Sequence, residues 1–240
     1  MTDISRDHFF NGRIVINQPA AGYRFSIDAV ILAHLALPLA SSRVLDLGTG
    51  CGVIPLMMAF RCPALQLVGV EIQPALCAFA RQNVADNAMT AHIRILEMDM
   101  RTLLRSDVGG PVDLVVSNPP YRQLNSGRIN SDSQRAVARH ELAVDLAGVM
   151  ASARRVLQKT GRMAVIYPSV RTVDLLSTMR TQGLEPKSLT MIHSHRDAPA
   201  RLVAAIAVKG GRPGLSVAPP LAIYAADGAY SPAVAAMVSA

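Results

Sequence analysis

Val44-Leu45-Asp46-Leu47-Gly48-Thr49-Gly50-Cys51-Gly52 is the stretch whose reading decides the fold. A short, mostly apolar run reads as a buried strand, and it enters a turn with glycine at every second position. Glycine lets a backbone approach a ligand closely, and a helix predicted over residues 53–60 would point its free N–H groups at the same turn. The unit recurs downstream. Residues 66–72 read as a strand and residues 74–87 as a helix, with further strands at 93–99 and 112–116. A helix over roughly residues 141–157, a strand at 162–167 and a helix at 170–182 complete the alternation. Apolar strands separated by helices predict a parallel sheet covered on both faces. Residues 188–192 and 202–208 follow one another without a helix, which predicts an antiparallel pair at the end of that sheet.

Such sheets bind ligands beyond the carboxyl ends of their strands, where the strand order reverses. That rule collects Asp46, Glu71, Asp99 and Asn118 at one edge. The spacing Gly48-x-Gly50-x-Gly52 is not the Gly-x-Gly-x-x-Gly of a dinucleotide site, which disfavours a nicotinamide reductase. Asp46 would repel a pyrophosphate but attract an ammonium group. Glu71, ending the second strand, is placed to accept from two ribose hydroxyls, and Asp99, ending the third, from an adenine amino group. An amino acid, a ribose and an adenine together describe S-adenosylmethionine, with S-adenosylhomocysteine as its product.

The fourth strand ends in Val115-Val116-Ser117-Asn118-Pro119-Pro120-Tyr121. Two prolines stop the ladder, and the residue before each is held extended, so Asn118 cannot start a helix. The turn offers an amide side chain, backbone carbonyls and an aromatic face at one point, a means of gripping the amino group of a planar base. Asn118 Oδ1 and the Pro119 carbonyl would accept its two N–H bonds, and Tyr121 would stack on the ring. The bland alternatives are a proline-rich turn and a core aromatic.

Charge is unevenly placed. Residues 1–121 carry 9 basic and 10 acidic residues, whereas residues 122–212 carry 15 and 6, most of the basic ones arginine. A surplus so localised favours an anionic partner such as nucleic acid. The polar segment 122–135 has no apolar periodicity and reads as a lid whose Arg122, Arg128, Arg135 and Arg139 meet phosphates. Cys51, Cys62 and Cys77 show no Cys-x-x-Cys spacing, so neither a metal nor a disulfide framework is expected, and a reducing cytoplasm is. No apolar run is long enough to span a bilayer, and the amino terminus lacks the pattern of a signal peptide.

Before the first strand, Phe9-Phe10-Asn11-Gly12-Arg13-Ile14-Val15-Ile16 predicts a hairpin around Asn11-Gly12. A helix follows over residues 29–37, capped by Ser26 and stopped by Pro38. His34 on that helix reads as a core histidine. Residues 210–220, rich in proline and small side chains, read as a linker before a tail.

The order Asp-Leu-Gly-Thr-Gly-Cys-Gly, Glu71, Asp99, Asn-Pro-Pro-Tyr resembles the class I S-adenosylmethionine-dependent amino-methyltransferases. With Gly22-Tyr23-Arg24-Phe25-Ser26-Ile27-Asp28, Ala138-Arg139-His140-Glu141 and Pro219-Pro220-Leu221-Ala222-Ile223-Tyr224, the chain resembles the bacterial tRNA (adenine-N6) methyltransferases that modify valine tRNA at position 37. The resemblance implies a Rossmann-like α/β fold: a seven-stranded, mostly parallel sheet whose last strand is antiparallel. It divides the chain into an amino-terminal hairpin and helix (1–40), a catalytic domain (41–210) and a carboxyl-terminal extension (211–240). It implies cofactor contacts from Phe25, Ser26, Asp28, Asp46, Gly48, Thr49, Gly50, Gly52, Glu71, Ile72, Asp99, Met100 and Asn118. Catalysis falls to Asn118, Pro119, Pro120 and Tyr121, and RNA, through a tRNA anticodon loop, to the four arginines with His140. Three alternatives stay open on sequence: a release-factor glutamine methyltransferase, a ribosomal RNA or DNA methyltransferase, and a non-catalytic RNA-binding module. The first normally carries a helical domain ahead of the catalytic one, which fewer than 45 residues before Val44 would not hold. Monomer and homodimer are equally open.

Overall fold

A computed structural model describes residues 4–20, 26–37, 42–119 and 146–239. Its centre is a sheet of seven long strands: β3 (Arg43–Leu47), β4 (Gln66–Glu71), β5 (Ile93–Glu97), β6 (Val112–Ser117), β7 (Leu157–Pro168), β8 (Leu184–His193) and β9 (Ala200–Lys209). Their spatial order is β8-β9-β7-β6-β3-β4-β5. The pairs β7–β6, β6–β3, β3–β4 and β4–β5 are parallel, whereas β9 runs against both β7 and β8. The expected antiparallel pair therefore exists, but β9 is wedged inside the sheet, and β8 beyond it runs with the other strands. Strand order reverses between β3 and β6, so the switch point lies between their carboxyl ends.

Two further strands, β10 (Ser216–Val217) and β11 (Leu221–Ala222), pair in parallel with β8 and bring the sheet to nine. Residues 210–220 thus contain sheet where the sequence predicts a linker. A strand of two residues has no periodicity to read, and the prolines on either side suggest a loop.

Helices α1 (Ile27–Leu35), α2 (Val53–Arg61), α3 (Pro74–Asp86) and α6 (Pro232–Ser239) contribute to a core on one face of the sheet. Helices α4 (Leu146–Val156) and α5 (Thr172–Thr181) build the other core. Strand alternation divides the residues between the two: Val44 packs into the first core, Leu45 and Leu47 into the second. Ser26 stands at the N-cap of α1, but its side chain makes no capping bond. No helix of the described residues is long and apolar enough to cross a membrane.

The amino-terminal hairpin is real, with a wider turn than an Asn-Gly dipeptide would make. Strands β1 (Ile4–Phe9) and β2 (Ile14–Pro19) pair from Phe9 and Ile14 outward, leaving four residues in the turn. Phe10, Asn11 and Gly12 all have positive φ, at 53°, 56° and 82°. A phenylalanine there is strained. Tertiary contacts hold it: Phe10 is fully buried, stacks on Phe60 at 4.3 Å, and donates its N–H to Val238 O at 2.8 Å. Arg61 donates to the Ala236 and Met237 carbonyls, the last turn of α6. Hairpin turn, α2 and α6 thus lock together.

Two asparagines one helical turn apart on α3 fasten the other edge of β2. Asn83, fully buried, donates to Asn17 O and Cys51 O (2.8 and 2.9 Å) and accepts from Asn17 N at 2.8 Å. Asn87 accepts from Val15 N at 2.9 Å and donates to Val15 O at 2.7 Å. The amides stand in for a missing neighbour strand, and Asn83 carries the linkage into the glycine turn through Cys51. Asn83→Ala leaves three backbone groups unpaired and should cost roughly 2–4 kcal/mol, or about 4–16 °C in Tm. Hydrogen exchange at Asn17 N should accelerate in parallel; an unchanged melt and exchange rate would show that the linkage holds nothing.

Candidate active site

The turn after β3 has the conformation its composition demands. Gly48, Gly50 and Gly52 have φ of 76°, 57° and 82°, so a side chain at any of the three would be strained. Gly48 N and Thr49 N both donate to Val70 O, at 2.9 and 3.0 Å, which pins the turn to β4. Gly52 caps α2 without a side chain, and a Cβ there would sit 3.4 Å from Ala80 on α3.

Glu71 holds the turn from the next strand. Its Oε2 accepts from Gly50 N at 2.9 Å, and its Oε1 accepts from Ile72 N and Gln73 N, both at 3.0 Å. One carboxylate therefore fixes the glycine turn and the start of α3 together. The sequence places a ribose ligand here but gives no hint of this clasp. Oε2 retains a lone pair, since each carboxylate oxygen can accept about two bonds.

Asp46 is the anomaly of the site. It is 1 % exposed, and among the described residues neither carboxylate oxygen has a hydrogen bond of ordinary geometry. Burial pushes its pKa up to about 7; the nearby Thr49 hydroxyl pulls it back in part, and the Glu71 carboxylate raises it further. Thr49 is itself buried, and its hydroxyl makes no hydrogen bond of ordinary geometry among the described residues. It lies against Gly69, the register partner of Asp46, so closely that a Cβ on Gly69 would come 2.8 Å from Thr49 Oγ1. Gly69 makes room for Thr49, a requirement that a single glycine in a strand does not announce.

Asp99 is where the sequence puts it, beyond the end of β5, but it is engaged. Arg101 clamps it through Nε (2.8 and 3.0 Å), and Arg101 N donates to Oδ1 at 2.8 Å. That hydrogen-bonded guanidinium holds the Asp99 carboxyl below the usual range. Around this carboxylate, Ile72 is 36 % exposed and Met100 half-buried, with Met100 Cε facing the Cβ position of Gly48 at 3.8 Å. Arg101 is the residue that sequence reasoning missed here.

At the end of β6, Ser117 Oγ donates to Leu47 O at 2.8 Å and ties the two central strands together at the switch point. Asn118 comes next, half-buried, with Oδ1 enclosed and without a hydrogen-bond partner among the described residues. It lies two residues beyond Val116, the register partner of Asp46, so the two residues sit about 8 Å apart along one edge. Pro119 is buried beside it. Asp28 is buried in the first turn of α1, and Ser26 before it is exposed. The structure thus gathers Asp46, Thr49, Glu71, Asp99 and Asn118 at the carboxyl edge. Phe25, Pro120, Tyr121, Arg122, Arg128, Arg135, Arg139 and His140 lie outside the described residues, as does the lid expected at 122–135.

A Rossmann-like sheet with a glycine turn, strand-end acids and Asn-Pro at its switch point defines a methyltransferase. The family model described as methyltransferase small domain matches residues 26–180, and the chain belongs to that family. Among its relatives is the tRNA1(Val) (adenine(37)-N6)-methyltransferase of Porphyromonas gingivalis strain W83, 34% identical over 79% of this chain and 76% of the relative. The enzyme of the same name from Aeromonas hydrophila is 29% identical over 90% and 89%. Among solved structures, a predicted O-methyltransferase from Agrobacterium tumefaciens superposes with a TM-score of 0.69 at 23% identity, over 87% of this chain and 94% of that one. Geranyl diphosphate C-methyltransferase from Streptomyces coelicolor, with a TM-score of 0.53 at 14% identity over 76% and 75%, shares the fold.

The Asp46 carboxyl ionises near pH 4 in an unfolded chain but only near pH 7 when folded. Its contribution to stability is therefore full below pH 4 and is lost as the pH rises through 7. Asp46→Asn, which cannot ionise, should raise stability at pH 8 by roughly 1–3 kcal/mol, a few degrees of Tm, and leave it nearly unchanged at pH 4. A variant melting below wild type at pH 8 would mean that the carboxylate has a partner in the folded protein.

Proposed function

We propose that this methyltransferase uses S-adenosylmethionine to methylate the exocyclic N6 of an adenine in RNA, adenosine 37 of a valine tRNA. The observation that carries the reading is Asn118 Oδ1, an enclosed acceptor without a partner among the described residues, one strand from the buried Asp46. A buried acceptor left unsatisfied costs about 1–3 kcal/mol, so its persistence at the switch point calls for a donor from outside the chain. The names of the relatives supply the substrate that fits.

The residues present fit the methyl donor. Asp46 would take the ammonium group of its methionyl part, with Gly48 and Gly50 allowing close approach. Glu71 Oε2 would accept from a ribose hydroxyl. Ile72 and Met100 would border the adenine, and Asp99 would meet its amino group once Arg101 shares or releases the carboxylate. Phe25, Ser26 and Asp28 would close the site from the start of α1. Bound S-adenosylmethionine supplies an electrophilic methyl group on its sulfonium.

The target is the adenine amino group, whose lone pair is delocalised into the ring. Asn118 Oδ1 and the Pro119 carbonyl accept its two N–H bonds and turn the lone pair out of conjugation. The positive charge that develops on nitrogen is stabilised by the same two acceptors, so no strong base is required. Holding both substrates in line supplies much of the remainder, since effective molarity is worth roughly 7–11 kcal/mol. In this reading Pro120 would keep the turn rigid, and Tyr121 would stack on the base. Arg122, Arg128, Arg135, Arg139 and His140 follow in the segment where the basic surplus lies and would neutralise phosphates. A base in an anticodon loop is already unpaired, so presenting it costs little. A tRNA substrate and the free thiols Cys51, Cys62 and Cys77 suit a cytoplasmic setting.

Incubation with bulk bacterial tRNA and methyl-labelled S-adenosylmethionine, followed by digestion to nucleosides, should place the label in N6-methyladenosine. Asn118→Ala should lose roughly 100-fold or more in kcat while still binding the methyl donor. Label in a release-factor peptide, in ribosomal RNA or in DNA, with none in tRNA, would overturn the reading.

A further inference from the structure

Strand β8 runs parallel to β7 and β6, so its last residue, His193, reaches the same sheet edge as Ser117 and Asn118. The chain returns to that point from the carboxyl-terminal extension. Ile223 N donates to His193 O at 2.8 Å and Tyr224 N to Ser194 O at 2.9 Å. A tight turn follows, closed by Ala225 N to Ala229 O at 2.8 Å and by a bridge between Tyr224 and Tyr230. Ser231 Oγ donates to Ala222 O at 2.6 Å and seats the turn on β11.

Tyr224 is half-buried against the core of the first face, and Tyr230 lies over it at the surface. Tyr230 stacks on Tyr224 with centroids 5.7 Å apart and planes 14° from parallel. His195, in the β8–β9 turn, meets Tyr224 at 5.6 Å and 38°. Tyr230 is 42 % exposed. The chain has five tyrosines and no tryptophan, and two of the five stand here in series. Arg196, next to His195 in the β8–β9 turn, and Arg201, in β9, are exposed, and neither is paired among the described residues. Asp197 is the one acid in the β8–β9 turn, while Asp227 turns its carboxylate to Ala229 N at 3.0 Å.

Among the described residues, the end of β7 lies between these rings and Asn118 on the same edge. Ser169, just past β7, donates its hydroxyl to Ala200 O at the start of β9, and Val170 beside it is 91 % exposed. From β6 to β8 the edge crosses three strand steps, about 14 Å, and Tyr224 stands about four residues, about 13 Å, further along the strand direction than Asn118; the separation of roughly 19 Å corresponds to about six nucleotides at the stacked rise of ~3.4 Å.

We propose that the Tyr224–Tyr230 turn and the β8–β9 turn form a stacking platform for an unpaired base of the RNA, several nucleotides from the adenine held at Asn118. The proposal rests on the reading of this enzyme as an RNA methyltransferase. Stacked rings with a free face and flanking arginines are the means by which single-stranded nucleic acid is gripped without regard to sequence. The carboxyl-terminal extension then has a substrate-binding role that the catalytic residues do not supply.

The test compares wild type with Tyr230→Leu, Tyr230→Phe and Arg196→Ala/Arg201→Ala, measuring Kd for bulk tRNA by filter binding and kcat at saturating tRNA. Sedimentation and a thermal melt are run on each. Tyr230→Leu should weaken tRNA binding roughly 5- to 100-fold with kcat and S-adenosylmethionine affinity unchanged, whereas Tyr230→Phe should stay within about twofold. The double arginine variant should weaken binding and flatten its dependence on salt by about one to two units of slope; it carries the test alone if Tyr230→Leu fails to fold. A wild type that methylates tRNA while both variants bind it normally overturns the platform and leaves the function standing. A wild type that neither binds nor methylates RNA overturns both. A dimer lost in Tyr230→Leu with tRNA affinity intact would assign this face to a second copy of the chain.

Discussion

Folding encloses the Asp46 carboxyl at the centre of the sheet with only the nearby Thr49 hydroxyl to favour its charged form and, among the described residues, no hydrogen bond of ordinary geometry to either oxygen. Strand β3 is flanked on both sides and cannot shift. The turn after it is fixed by three left-handed glycines, by two bonds to Val70 O and by Glu71. Thr49 closes over Gly69 beside it. An ionised carboxylate so placed is costly, which is why the group stays protonated up to about pH 7. A fold seeking stability alone would put an apolar residue there. The conflict between local stability and this residue marks the site more clearly than any single motif.

The acceptors at the carboxyl edge fall into two groups, and the difference is physical. Among the described residues, no group makes a hydrogen bond of ordinary geometry to the side-chain oxygens of Asp46 or to Asn118 Oδ1, so a ligand donor there gains most of the value of the bond. Glu71 and Asp99 are already bonded within the chain, to the backbone of two turns and to Arg101. For these a ligand must share or displace. Ammonium and amino groups would thus be held by the unsatisfied pair, while the nucleoside would meet carboxylates whose positions are set in advance.

Much of the fold was legible because it rests on period and punctuation. Alternating apolar strands and helices foretold β3 to β9, and the absence of a helix before residues 202–208 foretold the antiparallel β9. The prolines after Asn118 foretold where β6 ends. The site was legible as far as strand ends are, because the topology brings every carboxyl end to one edge. What escaped notice depends on contacts between distant segments or on very short ones. Asn83 and Asn87 look like ordinary polar helix residues, yet they bond a strand 66 and 72 positions away. Arg101 looks like a solvated arginine two residues past an acid, yet it clamps that acid. Strands β10 and β11 have two residues each, too few to show alternation. The aromatic turn at 224–230 reads as a tail until β8 is seen to carry it.

The central claim is that Asp46 waits for a cation, and calorimetry tests it most directly. S-adenosylmethionine would be titrated into the protein at pH 6.5 in two buffers of different ionisation enthalpy. The buffer dependence of the heat gives the number of protons exchanged on binding. With a pKa of about 7 in the free protein, Asp46 should ionise against the incoming ammonium and release roughly three-quarters of a proton per ligand bound. Asp46→Asn should bind far more weakly and release none. Binding without proton release in the wild type would contradict the account, because it would mean that the carboxylate was already charged and already satisfied.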